Sequence, residues 1–349
     1  RVSVIHSPIE LRTSPHIRRP ISTDVIMRNV VYALLPLVAF AVYAFGWSAL
    51  LLIATCTAVC VLCEHAACAL NKKETTIADW SAVITGILLA LTLPPAFPLW
   101  MAAAGSAFAM LVGKLMFGGL GCNTFNPALV GRAFLQATFP AAITTWSPAF
   151  DPQRFSNCFP ATLTPPFLKP LSALLTTDGL SGATPLGAWK FDHVFNNSAA
   201  SLFMGTTAGS AGETSAILIL IGGAYLIYRG MMDWRIPAGV LGSAAALSAI
   251  FYFADAGKYP SPVFMLFSGG LMLGAVFMAT DMVGSPVTSV GVWIYGALIG
   301  CVTIIIRLKG GLPEGMMYAV LLGNALTPLI DMYTQPRVFG AKKKAEAKP

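Results

Sequence analysis

Apolar runs separated by turn signals divide the chain into ten helical spans, at 30–46, 49–70, 80–93, 99–117, 127–139, 215–228, 236–253, 263–279, 287–306 and 316–330. A full bilayer crossing takes about 20 residues, and several spans are shorter, the third and fifth most clearly. Short spans interrupted by Gly or Pro predict half-helices buried in protein rather than facing lipid. Between spans five and six lies the one long hydrophilic stretch, 141–212, rich in Pro, Thr, Ser and Asn. A loop of that length is either functional or disordered. The chain thus divides into a tail at 1–29, a membrane unit at 30–140, a loop at 141–214, a second membrane unit at 215–331 and a basic tail at 332–349.

The two membrane units repeat each other. Gly118-Gly119-Leu120, Gly131 and Ala133 recur as Gly310-Gly311-Leu312, Gly323 and Ala325, all 192 residues on. Gly86 and Thr92 recur as Gly274 and Thr280, 188 residues on. Five spans per unit is an odd number, so the halves must be inverted in the membrane, an arrangement that places a site between them. The expected fold is an all-α polytopic membrane protein, about ten transmembrane helices in two inverted five-helix repeats. Chance recurrence in a Gly-rich chain is the competing explanation.

Composition agrees. The chain is 56% hydrophobic and 11% charged, with mean hydropathy +0.71, against about 25% charged in soluble domains. The net charge of +7 does not point to nucleic acid, because the basic residues cluster beside apolar spans. With the termini in the cytoplasm, fifteen basic residues fall inside: five in each tail plus Lys72, Lys73, Lys114, Arg229 and Arg235. Six fall outside (Arg154, Lys169, Lys190, Lys258, Arg307 and Lys309), and Arg132 lies within span five. The bias predicts termini in and the long loop in the periplasm, although Arg307 and Lys309 run against it. The polar start, with Arg12, Arg18, Arg19 and Arg28, is not a cleavable signal, and the natural start is expected upstream of Arg1. Cys56, Cys60 and Cys63 share one helical face, with Cys68 close behind. Cluster ligands usually come from tight loop runs, so these read as buried small residues. His6, His16 and His193 show no metal-ligand spacing, and no metal site is assigned.

The chemistry-bearing string is Asp178-Gly179-Leu180-Ser181-Gly182-Ala183-Thr184, in the long loop. Ser-Gly-Ala-Thr arises by chance in a chain this long roughly once in a hundred. Small neighbours leave the Thr184 hydroxyl open, and Asp178 is placed to position a metal or a base. An activated hydroxyl attacks a phosphoryl group. The alternative is a plain turn. Asn123 and Asn126 stand three apart at the entry to span five, where their amides suit either a ligand or a helix N-cap. Glu64, Asp281 and Asp331 are acids at or near membrane depth, and so are candidates for ion coupling. Interfacial carboxylates are the alternative for the two aspartates, and a Glu64–His65 interfacial pair for the third.

The loop string resembles the acceptor motif of flavin transferase, in which FMN is joined to the threonine through its phosphate. Ser14-Pro15-His16-Ile17-Arg18, Ile26-Met27-Arg28-Asn29-Val30, the 121–128 run (Gly-Cys-Asn-Thr-Phe-Asn-Pro-Ala) and Phe277-Met278-Ala279-Thr280-Asp281 are similar to the D-type chains of the Rnf ferredoxin:NAD oxidoreductase complex. The B-type chain of the sodium-pumping NADH:quinone reductase is the related alternative, but it carries a longer N-terminal extension tied to its quinone site. A non-redox transporter of similar fold is a third reading. The resemblance implies a bacterial inner-membrane electron-transfer subunit whose redox chemistry is coupled to Na+ or H+ movement and whose flavin faces the periplasm. It implies the other Rnf subunits (A, B, C, E and G) as partners, a flavin transferase for maturation, covalent FMN on Thr184, and non-covalent riboflavin held by Asn123 and Asn126. Trp189, Lys190, Asn196 and Arg154 are the local candidates for tuning the flavin ring.

Overall fold

A computed structural model describes residues 22–72, 76–152, 154–156, 158–159, 161–166, 184–192, 199–205, 207, 209–213 and 215–336. Among these, all regular structure is helical. The first unit holds α1 (Thr23–Phe45), α2 (Trp47–Leu70), α3 (Ser81–Thr92), α4 (Leu99–Gly113) with a 3-10 turn at Leu115–Phe117, α5 (Pro127–Thr138) and the short α6 (Pro140–Ile143). The loop carries α7 (Pro185–Gly187) and α8 (Ala199–Met204). The second unit holds α9 (Ala216–Tyr228), α10 (Arg235–Ala254), α11 (Pro262–Phe267), α12 (Leu271–Leu273), α13 (Ser289–Lys309) and α14 (Met316–Thr334). Helix therefore appears at each of the ten predicted spans. Among the described residues, five stretches are long and apolar enough to cross a membrane: Thr23–Phe45, Trp47–Leu70, Leu99–Phe117, Arg235–Ala254 and Ser289–Lys309.

The span predicted at 263–279 is not one helix. α11 ends at Phe267 with Ser268 as its C-cap, Gly269 takes φ +65°, and the chain restarts as α12 and a π turn over Gly274–Met278. α3 is the other half-helix. Its twelve residues reach about 18 Å against a bilayer core of about 30 Å. Ten of the twelve are buried, so it lies inside protein. The loop finishes its C-terminal end: Gly212 N–H donates to Leu91 O at 2.8 Å and Ala211 N–H to Leu93 O at 3.2 Å. A β-carbon on Gly212 would stand 2.6 Å from Leu91 Cβ, so only glycine approaches this closely.

Within the first unit α2 packs on α3 and α4, and α4 packs on α5. Within the second, α10 packs on α11 and α13, and α13 packs on α14. The α10–α13 seam is made of small residues. Gly239 and Ser243 face Gly296 and Gly300, each pair four apart on its helix. A β-carbon on Gly300 would stand 2.3 Å from Val240 O. Such small-residue seams let helix backbones touch where no hydrophobic force drives association. The units meet through α1 on α9 and α5 on α14.

The long loop returns to one end of the bundle. Gly46, between α1 and α2 at φ +70°, has room for no side chain against Arg154 O. Trp47 N–H donates to that carbonyl at 3.2 Å, and Leu99 N–H donates to Thr162 O at 3.1 Å. Arg154 is held by Tyr43 O at 2.8 Å and lies over the rings of Tyr43, Phe150 and Phe155.

Candidate cofactor site

Thr184 is the N-cap of α7, with extended backbone at φ −67°, ψ 151°. Pro185 follows at the first helical position, where its missing N–H removes nothing. Thr184 Oγ1 accepts Gly187 N–H at 3.1 Å. An ester on this oxygen replaces its hydrogen and leaves a lone pair for that bond, so the cap and the attachment are compatible. The residue is half-buried rather than openly exposed, because it lies at a cavity of about 310 Å³. Trp146, Phe191 and Tyr318 give that cavity aromatic walls, and Arg132, Gln136 and Thr144 give it polar ones. Its size and character fit an aromatic cofactor, at the low end of the roughly 300–1,000 Å³ of small-molecule sites. Asp178, Ser181, Gly182 and Ala183 lie outside the described residues, as does Asn196.

The segment after Thr184 is clamped to the second unit. Lys190 Nζ donates to Leu312 O at 2.6 Å, Arg307 O at 2.9 Å and Ile306 O at 3.4 Å. The ammonium thus caps the C-terminal carbonyls of α13, where the helix dipole favours a cation. Burial draws its pKa down from the usual lysine value. Lys190 ties the Thr184 turn to α13 and is not among the residues lining the cavity. Trp189 is buried in the core, and Arg154 stands with its own aromatic cluster; neither lines the Thr184 cavity.

Beneath Thr184 lies a charge cluster that leaves only one marker in the sequence, an arginine inside span five. Arg132, on α5, donates to Glu213 Oε1 at 3.0 Å and to Glu314 Oε2 at 3.2 Å. Arg307, on α13 and fully buried, lies 3.9 Å from Glu314 Oε1 and donates to Met265 O at 2.6 Å and Ser268 O at 3.0 Å. Glu314 Oε1 also accepts Gly270 N–H at 2.5 Å, so the break between α11 and α12 closes on this carboxylate. Arg307 therefore sits in the interior, which explains why it runs against the loop-charge bias.

Asn123 and Asn126 line a second cavity, of about 100 Å³, with Ile26, Lys114, Thr280 and Asp281. Asn126 caps α5: its Oδ1 accepts Ala128 N–H at 3.0 Å, and its Nδ2 donates to Met278 O at 3.4 Å in the other unit. Asn123 Nδ2 donates to Phe125 O at 3.1 Å. Asn324, oriented to satisfy both sides, accepts Asn126 N–H at 3.1 Å and donates to Tyr295 Oη at 2.7 Å. The volume falls short of an ordinary ligand site. Met27, Met231, Met232 and Met282 on its walls are side chains that repack readily.

The three candidate acids separate. Glu64 is buried, paired with Lys114 Nζ at 2.6 Å and bonded by Thr76 Oγ1 at 2.8 Å, while its Oε2 has no partner among the described residues. Lys114, counted from the sequence among the basic residues on the cytoplasmic side, is buried too and also reaches Ser81 Oγ at 2.5 Å. His65 is exposed, so the partner of Glu64 is Lys114. Asp281 lies at the 100 Å³ cavity and accepts Val283 N–H at 3.3 Å. Asp331 accepts Val287 N–H at 3.2 Å and Thr288 N–H at 3.4 Å, which makes it a cap for α13. All seven cysteines are free, and the described residues hold no group of three or more metal-ligating side chains.

A family model described as the NQR2, RnfD, RnfE family matches residues 10–340. The chain is 44% identical to the D-type chain of the Na(+)-translocating ferredoxin:NAD(+) oxidoreductase complex of Acetobacterium woodii, over 97% of this chain and 98% of that protein. It is 41% identical to the D-type chain of the proton-translocating ferredoxin:NAD(+) oxidoreductase complex of Clostridium ljungdahlii, over 95% and 96%. It is 38% identical to the D-type chain of the ion-translocating oxidoreductase complex of Alcanivorax borkumensis, over 95% and 96%. With the family match spanning nearly the whole sequence and these identities holding over nearly the full length of each relative, the chain belongs to the NQR2, RnfD, RnfE family.

Proposed function

We propose that this chain is the D-type membrane component of an ion-translocating ferredoxin:NAD oxidoreductase and carries FMN as a phosphoester on Thr184. The observation that carries the reading is the placement of Thr184 at a cavity of about 310 Å³ with aromatic walls. A bound flavin supplies one- and two-electron redox chemistry, and the protein tunes it. The chain's part is to hold and orient. Thr184 and its cap fix the attachment point, Lys190 ties the turn to α13, and Trp146, Phe191 and Tyr318 offer aromatic surface to the ring. Arg132 adds a cation beside that space, held by carboxylates on either side.

The 100 Å³ cavity is the place for a second, non-covalent flavin contacting Asn123 and Asn126, provided its methionines move aside. Glu64 and Asp281 are the acids retained as ion-coupling candidates; Asp331 is used as a cap. We further read the ten helical segments as two inverted five-helix units in the bacterial inner membrane, with termini inside and the Thr184 loop in the periplasm. The repeated packing order, α2–α4–α5 against α10–α13–α14, supports this, as does the match of half-helix α3 to broken α11–α12. The expected partners are the other Rnf subunits (A, B, C, E and G), with a flavin transferase for maturation. A non-redox transporter with the same scaffold is the competing reading. In-gel flavin fluorescence after denaturing electrophoresis tests the two. The chain made with its transferase should fluoresce and Thr184→Ala should not, while still inserting. Equal fluorescence in the variant moves the attachment elsewhere, and a dark wild-type chain leaves the transporter reading.

A further inference from the structure

Two arginines and two glutamates meet in one cluster, with Arg307 fully buried and the Glu314 side chain 21% exposed, and Thr184 lines both cavities that touch it. Arg132 faces the 310 Å³ cavity, Glu213 faces a neighbouring one of about 30 Å³, and Glu314 faces both. The smaller cavity also has Thr207 and Ser268 on its wall and has room for a water. Glu213 is brought there by the loop that closes α3, through the bonds of Ala211 and Gly212. The charges facing it are Arg132 from α5, Glu314 from the α13–α14 turn and Arg307 from α13. Gly269 and Gly270 complete the enclosure. A β-carbon on Gly270 would stand 2.5 Å from Glu213 Oε1, and one on Gly269 would overlap Glu314 Oε1. Arg307 Nε is buried without a partner among the described residues.

Two cations and two anions make a neutral cluster when all four are ionised. Arg132 holds both carboxylates at once, so a proton on Glu213 leaves Arg132 still bonded to Glu314. The cluster can therefore take one positive charge without losing its central contact. We propose that it is a proton-accepting site that answers reduction of the group on Thr184, with Glu213 as the residue that takes the proton. The inference rests on Thr184 carrying the flavin.

The step balances simply. A one-electron iron–sulfur donor in the complex is oxidised, and the group on Thr184 is reduced and gains one negative charge. One proton from water forms an O–H bond on Glu213, and the cluster goes from neutral to +1. Reoxidation returns the proton. Burial and the neighbouring Glu314 push the Glu213 carboxyl up from the usual glutamate value against the pull of Arg132, which is the direction a proton acceptor needs.

The test uses the full chain, made with its flavin transferase so that the one covalent flavin is on Thr184. Redox-difference infrared spectroscopy on wild-type protein should show a protonated-carboxyl band appearing on reduction, shifted by labelling glutamate with carbon-13. Redox titration should show the midpoint falling as pH rises near neutrality. The limit is tenfold in the electron equilibrium per pH unit, about 59 mV for one electron. Glu213→Gln, which keeps an acceptor for Arg132, should remove the band and reduce the slope at unchanged flavin content. A flavin-bearing wild-type chain without the band overturns the inference and leaves the flavin reading standing, as does an equal slope in Glu213→Gln. A wild-type chain without flavin overturns both. If the glutamine variant does not insert, the labelled wild-type band decides alone.

Discussion

At the residue scale the chain keeps its buried charges in partnership. Glu64 with Lys114, and Arg132 with Glu213, are each shielded from solvent, and Glu314 joins the second pair from its partly exposed edge. Removing one member of such a group leaves the other charge stranded, at a cost of about 3–5 kcal/mol. Glu64→Gln should therefore destabilise the chain by an amount of this order, read by thermal unfolding in detergent. Glu64→Gln with Lys114→Met should recover much of it. The pair also separates structure from transport. If Glu64 carries the ion, the double variant inserts and stays stable yet moves less Na+ or H+ into vesicles. Unchanged uptake removes Glu64 from the transport path. Asp281→Asn should lower uptake with little effect on the covalent flavin content, because Asp281 accepts a backbone hydrogen bond from Val283 N–H and does not line the Thr184 cavity.

At the element scale the small-residue seam between α10 and α13 is the most exacting packing. Gly300→Leu must push α10 away, since even a β-carbon meets Val240 O and the Ser243 side chain. Overpacking of this kind costs about 1–3 kcal/mol, and the variant should unfold at lower temperature while Gly242→Ala, which faces open space, should not. Helix positions were legible in the sequence because apolar runs and Gly/Pro punctuation are local signals. Thus Asn126-Pro127 marked the start of α5, as a capping residue before proline does. The break at Gly269 was less legible, since Leu, Met, Val and Phe continue on both sides and hide it in an apolar run. The site was half legible. Thr184 stood out by its string and Arg132 by its place in an apolar span. Glu213, Glu314 and Lys114 sit near element ends, where a charge ordinarily meets water, and only tertiary packing pairs them with their partners.

At the scale of the whole molecule, the two cavities lie at opposite ends of the bundle. The 100 Å³ cavity is lined by Ile26 at the start of α1, while the Arg154 segment of the Thr184 loop packs at Gly46 beyond the end of α1. Cys122, exposed in the turn between α4 and α5, gives a native probe of sidedness. A membrane-impermeant maleimide should reach Cys122 only from the cytoplasm, and a cysteine placed at the exposed Phe191 only from the periplasm. Labelling of both from one side would overturn the inverted arrangement. One element runs from one cavity toward the other. α5 has Asn126 at its N-terminal cap in the first and Gln136 in the second, about 15 Å further along. Its aligned peptide dipoles put roughly half a positive charge at the Asn126 end and half a negative charge near the Gln136 end. An electron is a negative charge, so this one helix lays a downhill electrostatic slope from the Thr184 end toward the Asn126 end, and the direction of that slope is set by the direction in which the backbone is threaded.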